Sequence, residues 1–94
     1  MAKLKIGFVG VGLMGLPMVM NIAKHNYPLV VWNRSKKNLK KINKKKIEVC
    51  QKLIDLPNQC EVIIMMLSSD KVCEEISNKL MKNLKKNQIL IDMS

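Results

Sequence analysis

The stretch Ile6-Gly7-Phe8-Val9-Gly10-Val11-Gly12-Leu13-Met14-Gly15 decides the fold. Its last six residues spell G-x-G-x-x-G, preceded by the apolar run Ile6 to Val9 and followed by a helix-like stretch. Strand, tight turn and helix in that order are the context a dinucleotide-binding fingerprint requires. All four glycines of the chain lie between Gly7 and Gly15, and no later turn uses one. Glycine is therefore placed by position rather than composition. In such a turn Gly10 permits the sharp exit from the strand. Gly12 lets backbone approach a pyrophosphate, and Gly15 allows helix to pack closely on strand. The N–H groups at the helix start then face an anion, aided by the helix dipole. The candidate contacts here are Gly10, Val11, Gly12, Leu13, Met14 and Gly15.

Outward from this turn, strand and helix patterns alternate to the end of the chain, which predicts a parallel α/β fold. Strands are expected at Lys5–Val9, Leu29–Trp32, Ile47–Val49, Val62–Leu67 and Ile89–Ile91. Helices are expected at Leu13–His25, with Met14, Met18 and Ile22 on one face, at Lys36–Lys45 and at Gln51–Leu56. In the lysine-rich helix Leu39 and Ile42, or Asn43, mark the inward side. Pro17 falls in the opening turn of the first helix, where its missing N–H costs least. Pro57-Asn58 is expected to end the short helix. The run Val62 to Leu67 is continuously apolar, as for a central strand covered on both faces. Ser68-Ser69-Asp70 supplies a helix start, followed by a buried stripe of Val72, Ile76 and Leu80. Asn87 takes the turn before the last strand. Right-handed crossovers give a Rossmann-like sheet of five strands in the order 3-2-1-4-5, with helices on both faces.

The end of the second strand selects the ligand. Sites for NAD place Asp or Glu there to hold the ribose 2′-OH, whereas sites for NADP use Arg. The segment reads Val30-Val31-Trp32-Asn33-Arg34-Ser35, with no carboxylate. Arg34 can pair with a 2′-phosphate and stack on adenine, and Ser35 can donate a hydrogen bond. Lys36 and Lys37 add positive potential. Asn33, Arg34 and Ser35 therefore join the candidates, and the cofactor expected is NADP(H) in preference to NAD(H).

Ninety-four residues make one small domain, which buries roughly two-thirds of its unfolded surface. The net charge is +10, and seven of the sixteen lysines lie between Lys36 and Lys46. Such a run can serve as a nucleic-acid footprint, but stacking aromatics and additional arginines are lacking, so a solvated face is the reading preferred. Cys50, Cys60 and Cys73 are odd in number and lack C-x-x-C spacing, so reduced thiols are expected and no metal site. Lys3 and Lys5 before Ile6–Val19 imitate a signal peptide. Four glycines, Pro17 and the lack of a small-residue cleavage site argue instead for strand, turn and helix. A cytoplasmic protein without a membrane segment is expected. His25, at the end of the first helix, complements the dipole and has no catalytic role.

Ile6 to Met18, with Asn21, resembles the opening signature of the β-hydroxyacid dehydrogenases. This family includes 3-hydroxyisobutyrate dehydrogenase and glyoxylate/succinic semialdehyde reductases, with 6-phosphogluconate dehydrogenase more distant. The resemblance continues through Asn33-Arg34-Ser35 and Val62–Leu67 to Ile91-Asp92-Met93-Ser94. It implies cofactor contacts from Leu67, Ser68 and Ser94. Where the family has Met-Leu-Pro this chain has Met66-Leu67-Ser68, and Lys46 and Asn87 stand where the family tends to carry glycine.

The resemblance also implies an oxidoreductase moving a hydride between NADP(H) and a small β-hydroxy acid or semialdehyde. Family members are about three times as long by ordinary domain arithmetic. Residues 1–94 then correspond to an incomplete N-terminal NADP-binding domain. The catalytic lysine, its asparagine partner, the substrate loop and the helical domain that dimerises lie past Ser94. No lysine here is assigned the catalytic role, and the piece alone is expected to be inactive. The alternatives are a stand-alone nucleotide-binding module, an inactive remnant, or a basic nucleic-acid-binding remnant.

Overall fold

The computed structural model describes residues 4–42 and 46–94. Five parallel strands form one sheet: β1 (Ile6–Val9), β2 (Leu29–Trp32), β3 (Ile47–Val49), β4 (Val62–Met65) and β5 (Ile89–Asp92). Their order is β3-β2-β1-β4-β5, as expected from right-handed crossovers. β1 is central, pairing Phe8 with Val31 of β2 and with Ile64 of β4. This places the glycine turn where the chain leaves for opposite sides of the sheet, the crevice in which α/β proteins bind ligands.

The two faces are covered by different elements. Val9, Val30, Ile63 and Met65 point to one side. There Ile76 and Leu80 of α2 (Asp70–Met81) and Leu53 and Leu56 of a 3-10 helix (Leu53–Asn58) pack on them. Phe8, Leu29, Val31 and Ile47 point to the other, under Val19 and Ala23 of α1 (Gly15–Lys24) and beside Leu39 and Ile42.

Several expectations change in detail. The buried stripe of α1 is Gly15, Val19 and Ala23, not Met14, Met18 and Ile22. Gly15 faces the strand, and this contact sets the phase of the helix; Met18 and Ile22 fall on the flanks and Met14 is 64% exposed. Where a helix from Lys36 was expected, the described part of the lysine-rich segment, up to Ile42, holds a single 3-10 turn, Asn38–Lys41. Residues 43–45, including Asn43, lie outside the described residues. Leu39 and Ile42 are its inward side, as expected. A spacing of three suits a 3-10 turn, and two apolar anchors among like charges do not sustain an α-helix. The segment after β3 is likewise 3-10, and Pro57 lies inside it, buried, rather than ending it. β4 stops at Met65; Met66 N still donates to Val9 O, but Leu67 N leaves the ladder for the Ser94 side chain.

Turns without glycine use asparagine in the left-handed region, Asn26 (φ 63°) after α1 and Asn87 (φ 76°) before β5. Asparagine tolerates this conformation better than most residues. Ser69 caps α2, its hydroxyl accepting from Val72 N at 3.5 Å. Among the described residues no helix is long and apolar enough to cross a membrane.

Candidate functional site

The site is built first by close backbone contacts. Gly10 has φ +104°, and a Cβ there would lie 2.1 Å from Met66 O. A Cβ on Gly15 would lie 1.8 Å from Gly10 O. Any side chain at either position would push β1, the loop after β4 and α1 apart. Gly12 differs: a Cβ there meets nothing within 4 Å. Its lack of a side chain serves no internal contact and leaves open space on the outer side of the turn.

Asn33 fixes the shape of this turn. Its Oδ1 accepts from Val11 N at 2.9 Å, and its Nδ2 donates to Ser35 O at 2.7 Å. Gly10 N donates to Trp32 O at 3.1 Å. The N–H groups of Gly10 and Val11 are thus consumed internally. Those of Gly12, Leu13 and Met14 find no acceptor among the described residues. They lie at the N-terminus of α1, whose first turn contains no acidic residue. Free amides and the positive end of a helix dipole favour an anion there.

A cleft of about 390 Å³ opens over these groups. Gly10, Gly12, Leu13, Met14 and Gly15 line one side, Asn33 the end, and Leu67 and Ser68 the other. Met66 also lines it, although the resemblance implies contacts only from its neighbours Leu67 and Ser68. Leu13, 93% exposed, and Met14 stand at the rim. Val11, by contrast, has a fully buried side chain and offers the cleft no free amide. Arg34 and Ser35 are exposed just beyond Asn33, and Arg34 lines a neighbouring groove instead of the cleft.

The tail after β5 is tied to the loop after β4. Ser94 Oγ accepts from Leu67 N at 2.8 Å, and Ser94 N donates to Asp92 Oδ1 at 2.9 Å. Cys73 Sγ donates to Asp92 Oδ2 at 3.3 Å. The Ser94 amide chiefly, with the Cys73 thiol, holds the Asp92 carboxyl below its usual range. Ser94 therefore shapes the Leu67–Ser68 wall through a hydrogen bond without lining the cleft. The remaining thiols are packed away from it. Burial pushes Cys60 up to about 11, and burial likewise raises Cys50. His25 caps α1, its Nδ1 2.8 Å from Asn21 O.

Residues 5–94 match the family model of the NAD binding domain of 6-phosphogluconate dehydrogenase. The chain is 33% identical over 96 aligned residues to the mitochondrial 3-hydroxyisobutyrate dehydrogenase of Rattus norvegicus. That alignment takes in 99% of this chain and 29% of the rat enzyme, so the chain spans under a third of its relative's length. Among solved structures, the 3-hydroxyisobutyrate dehydrogenase of Mycobacterium tuberculosis superposes with a TM-score of 0.88 at 19% identity, covering 96% of this chain and 31% of that one. The imine reductase of Myxococcus stipitatus superposes as its NADP+ complex (TM-score 0.84, 17% identity) over 94% of this chain and 31% of that one. Its V8 variant with NAD+ (TM-score 0.88, 16% identity) covers 98% and 32%. At these identities the structural likenesses establish the fold.

Proposed function

The chain belongs to the family of the NAD-binding domain of 6-phosphogluconate dehydrogenase, and on that premise we propose that it is the NADP(H)-binding part of an oxidoreductase. The reaction proposed is hydride transfer between NADP(H) and a small β-hydroxy acid or semialdehyde, the class named for its relatives. The observation that carries the cofactor choice is the end of β2. Asn33, Arg34 and Ser35 stand where an NAD site needs a carboxylate. Among the described residues Arg34 forms no ion pair.

The cleft fits a dinucleotide. Gly12 leaves its outer face open, and the amides of Gly12, Leu13 and Met14 supply donors for a pyrophosphate. Arg34 and Ser35 would hold the 2′-phosphate, with Asn33 fixing their loop against the turn. Leu67 and Ser68, braced by Ser94, would form the opposite wall. When bound, the nicotinamide supplies the hydride chemistry, while the protein binds and orients. No residue here is assigned proton transfer, so the chain alone is expected to bind cofactor without turnover.

Calorimetric titration with NADPH and NADH tests the reading. Tighter binding of NADPH is expected. Binding of neither, or tighter binding of NADH, overturns it.

A further inference from the structure

The ladder between β4 and β5 ends with Met93 N donating to Met65 O at 2.9 Å. One residue further on, side chains take over. Ser94 Oγ accepts from Leu67 N at 2.8 Å, and Ser94 N donates to Asp92 Oδ1 at 2.9 Å. The other oxygen of that carboxylate, Oδ2, accepts from Cys73 Sγ at 3.3 Å. Cys73 is the fourth residue of α2, and its half-buried side chain packs against the core under that helix. Hydrogen bonds thus run in series from α2, through the end of β5, to the loop after β4. Of these residues only Leu67 lines the glycine cleft. The chain carries a net charge of +10, yet among the described residues no cation pairs with Asp92. Its carboxylate is held by the Ser94 amide first, then by the Cys73 thiol and the Ser94 hydroxyl. With its proton drawn to the carboxylate, that hydroxyl turns a lone pair to Leu67 N. Burial first, then the Asp92 carboxylate, push the Cys73 thiol up, so it keeps its proton and donates.

We propose that Cys73 is a positioning residue for the cofactor cleft: by fixing one oxygen of Asp92 it orients Ser94, which holds the Leu67–Ser68 wall in place. The proposal rests on the cofactor reading above. Neither Cys73 nor Asp92 lines the cleft, so both act through Ser94. A wall set in this way serves NADPH and NADH alike, unlike the charge of Arg34, which distinguishes them.

Substitutions in the full chain test it. Cys73→Val removes the donor but keeps an apolar side chain against the core, and Cys73→Ser keeps a donor. Circular dichroism checks the fold, and Cys73→Ala, which removes the donor without branching, should match Cys73→Val. In Cys73→Val both NADPH and NADH should bind about threefold more weakly, their ratio unchanged. Amide hydrogen exchange at Leu67 should quicken by about threefold, and the Asp92 carboxyl, followed by carbon NMR, should titrate at higher pH. Cys73→Ser should bring all three measurements back towards those of the unsubstituted chain. Asp92→Asn keeps an acceptor for Ser94 N but loses the carboxylate that the thiol meets. It should weaken both cofactors by a similar factor, and adding Cys73→Val to it should cost less than about 1.5-fold more, since the two act on one bond. Unchanged Leu67 exchange or Asp92 titration in Cys73→Val, no recovery in Cys73→Ser, or full additivity of the two substitutions overturns the proposal. If the unsubstituted chain binds neither dinucleotide, the cofactor reading fails alone, and Leu67 exchange and Asp92 titration still decide whether Cys73 holds the wall.

Discussion

The glycine turn and the Arg34 loop are the two ends of one proposed site, yet they are built in opposite ways. The turn is held by overlap distances: nothing larger than hydrogen fits at Gly10 or Gly15. The loop beyond Asn33 is exposed and carries side chains without ion pairs among the described residues. The first region pre-forms a cradle at the cost of tolerance. The second leaves charge free to choose among ligands. Shape at one end and charge at the other should therefore separate experimentally into stability and specificity.

Substitution in the turn gives the largest effect. Gly10→Ala places a Cβ at φ +104° against the Met66 carbonyl, and a loss of about 3 kcal/mol or more is expected. That is a large share of the ~5–15 kcal/mol typical of a domain. Gly12→Ala, only two residues away, meets nothing and should change stability by less than about 0.5 kcal/mol. Urea unfolding of both variants checks the contrast. Equal losses would break the claim that the two glycines do different jobs.

The same packing shields thiols behind β1. Cys60 Sγ lies where a Cβ on Gly7 would sit 2.6 Å away, and burial raises its pKa from 9.0 to about 11. A raised thiol pKa means the folded chain holds its proton longer than the unfolded one. The stability this confers is complete below pH 9 and is lost as pH rises towards 11. A fall of about 2 kcal/mol over that window is expected, and Cys60→Ala should flatten it. A profile identical in that variant would sink the assignment.

At the charged end, Arg34→Ala should weaken NADPH by about tenfold and NADH by about twofold or less. The fold should be untouched, since Arg34 is exposed. Equal losses for the two cofactors would mean that Arg34 does not read the 2′-phosphate.

How far the sequence was legible follows the same division. β1, the turn and the sheet order could be read because glycine placement and apolar runs report steric needs directly. The phase of α1 could not, because Met14, Met18 and Ile22 form as good a stripe as Val19 and Ala23. Only the contact of Gly15 with Gly10 O decides between them. Leu39 and Ile42 read as inward, but two anchors do not distinguish an α-helix from one 3-10 turn. The bridge from Asn33 to Val11 N was also hidden, since a hydrogen bond across 22 residues leaves no local pattern. In β5 the apolar residues Ile89 and Ile91 remain 55% and 39% exposed, so the short apolar run marked a strand without telling how much it buries.

Asn33 joins the two regions, and it gives the smallest and sharpest test. Its amide does two things at once: the oxygen holds the glycine turn through Val11 N, and the nitrogen holds the loop through Ser35 O. Asn33→Asp keeps the acceptor for Val11 N. It replaces the donor to Ser35 with a carboxylate oxygen that repels the carbonyl, at a cost of about 1 kcal/mol. It also puts negative charge at the end of β2, where NAD sites carry it. NADPH should bind about fivefold more weakly while NADH holds or improves. Asn33→Ala separates the terms, because it strands the Val11 amide without adding charge. It should weaken both cofactors alike. If Asp and Ala gave the same ratio of NADPH to NADH, the turn alone would govern binding, and charge beyond Asn33 would have no part in the choice.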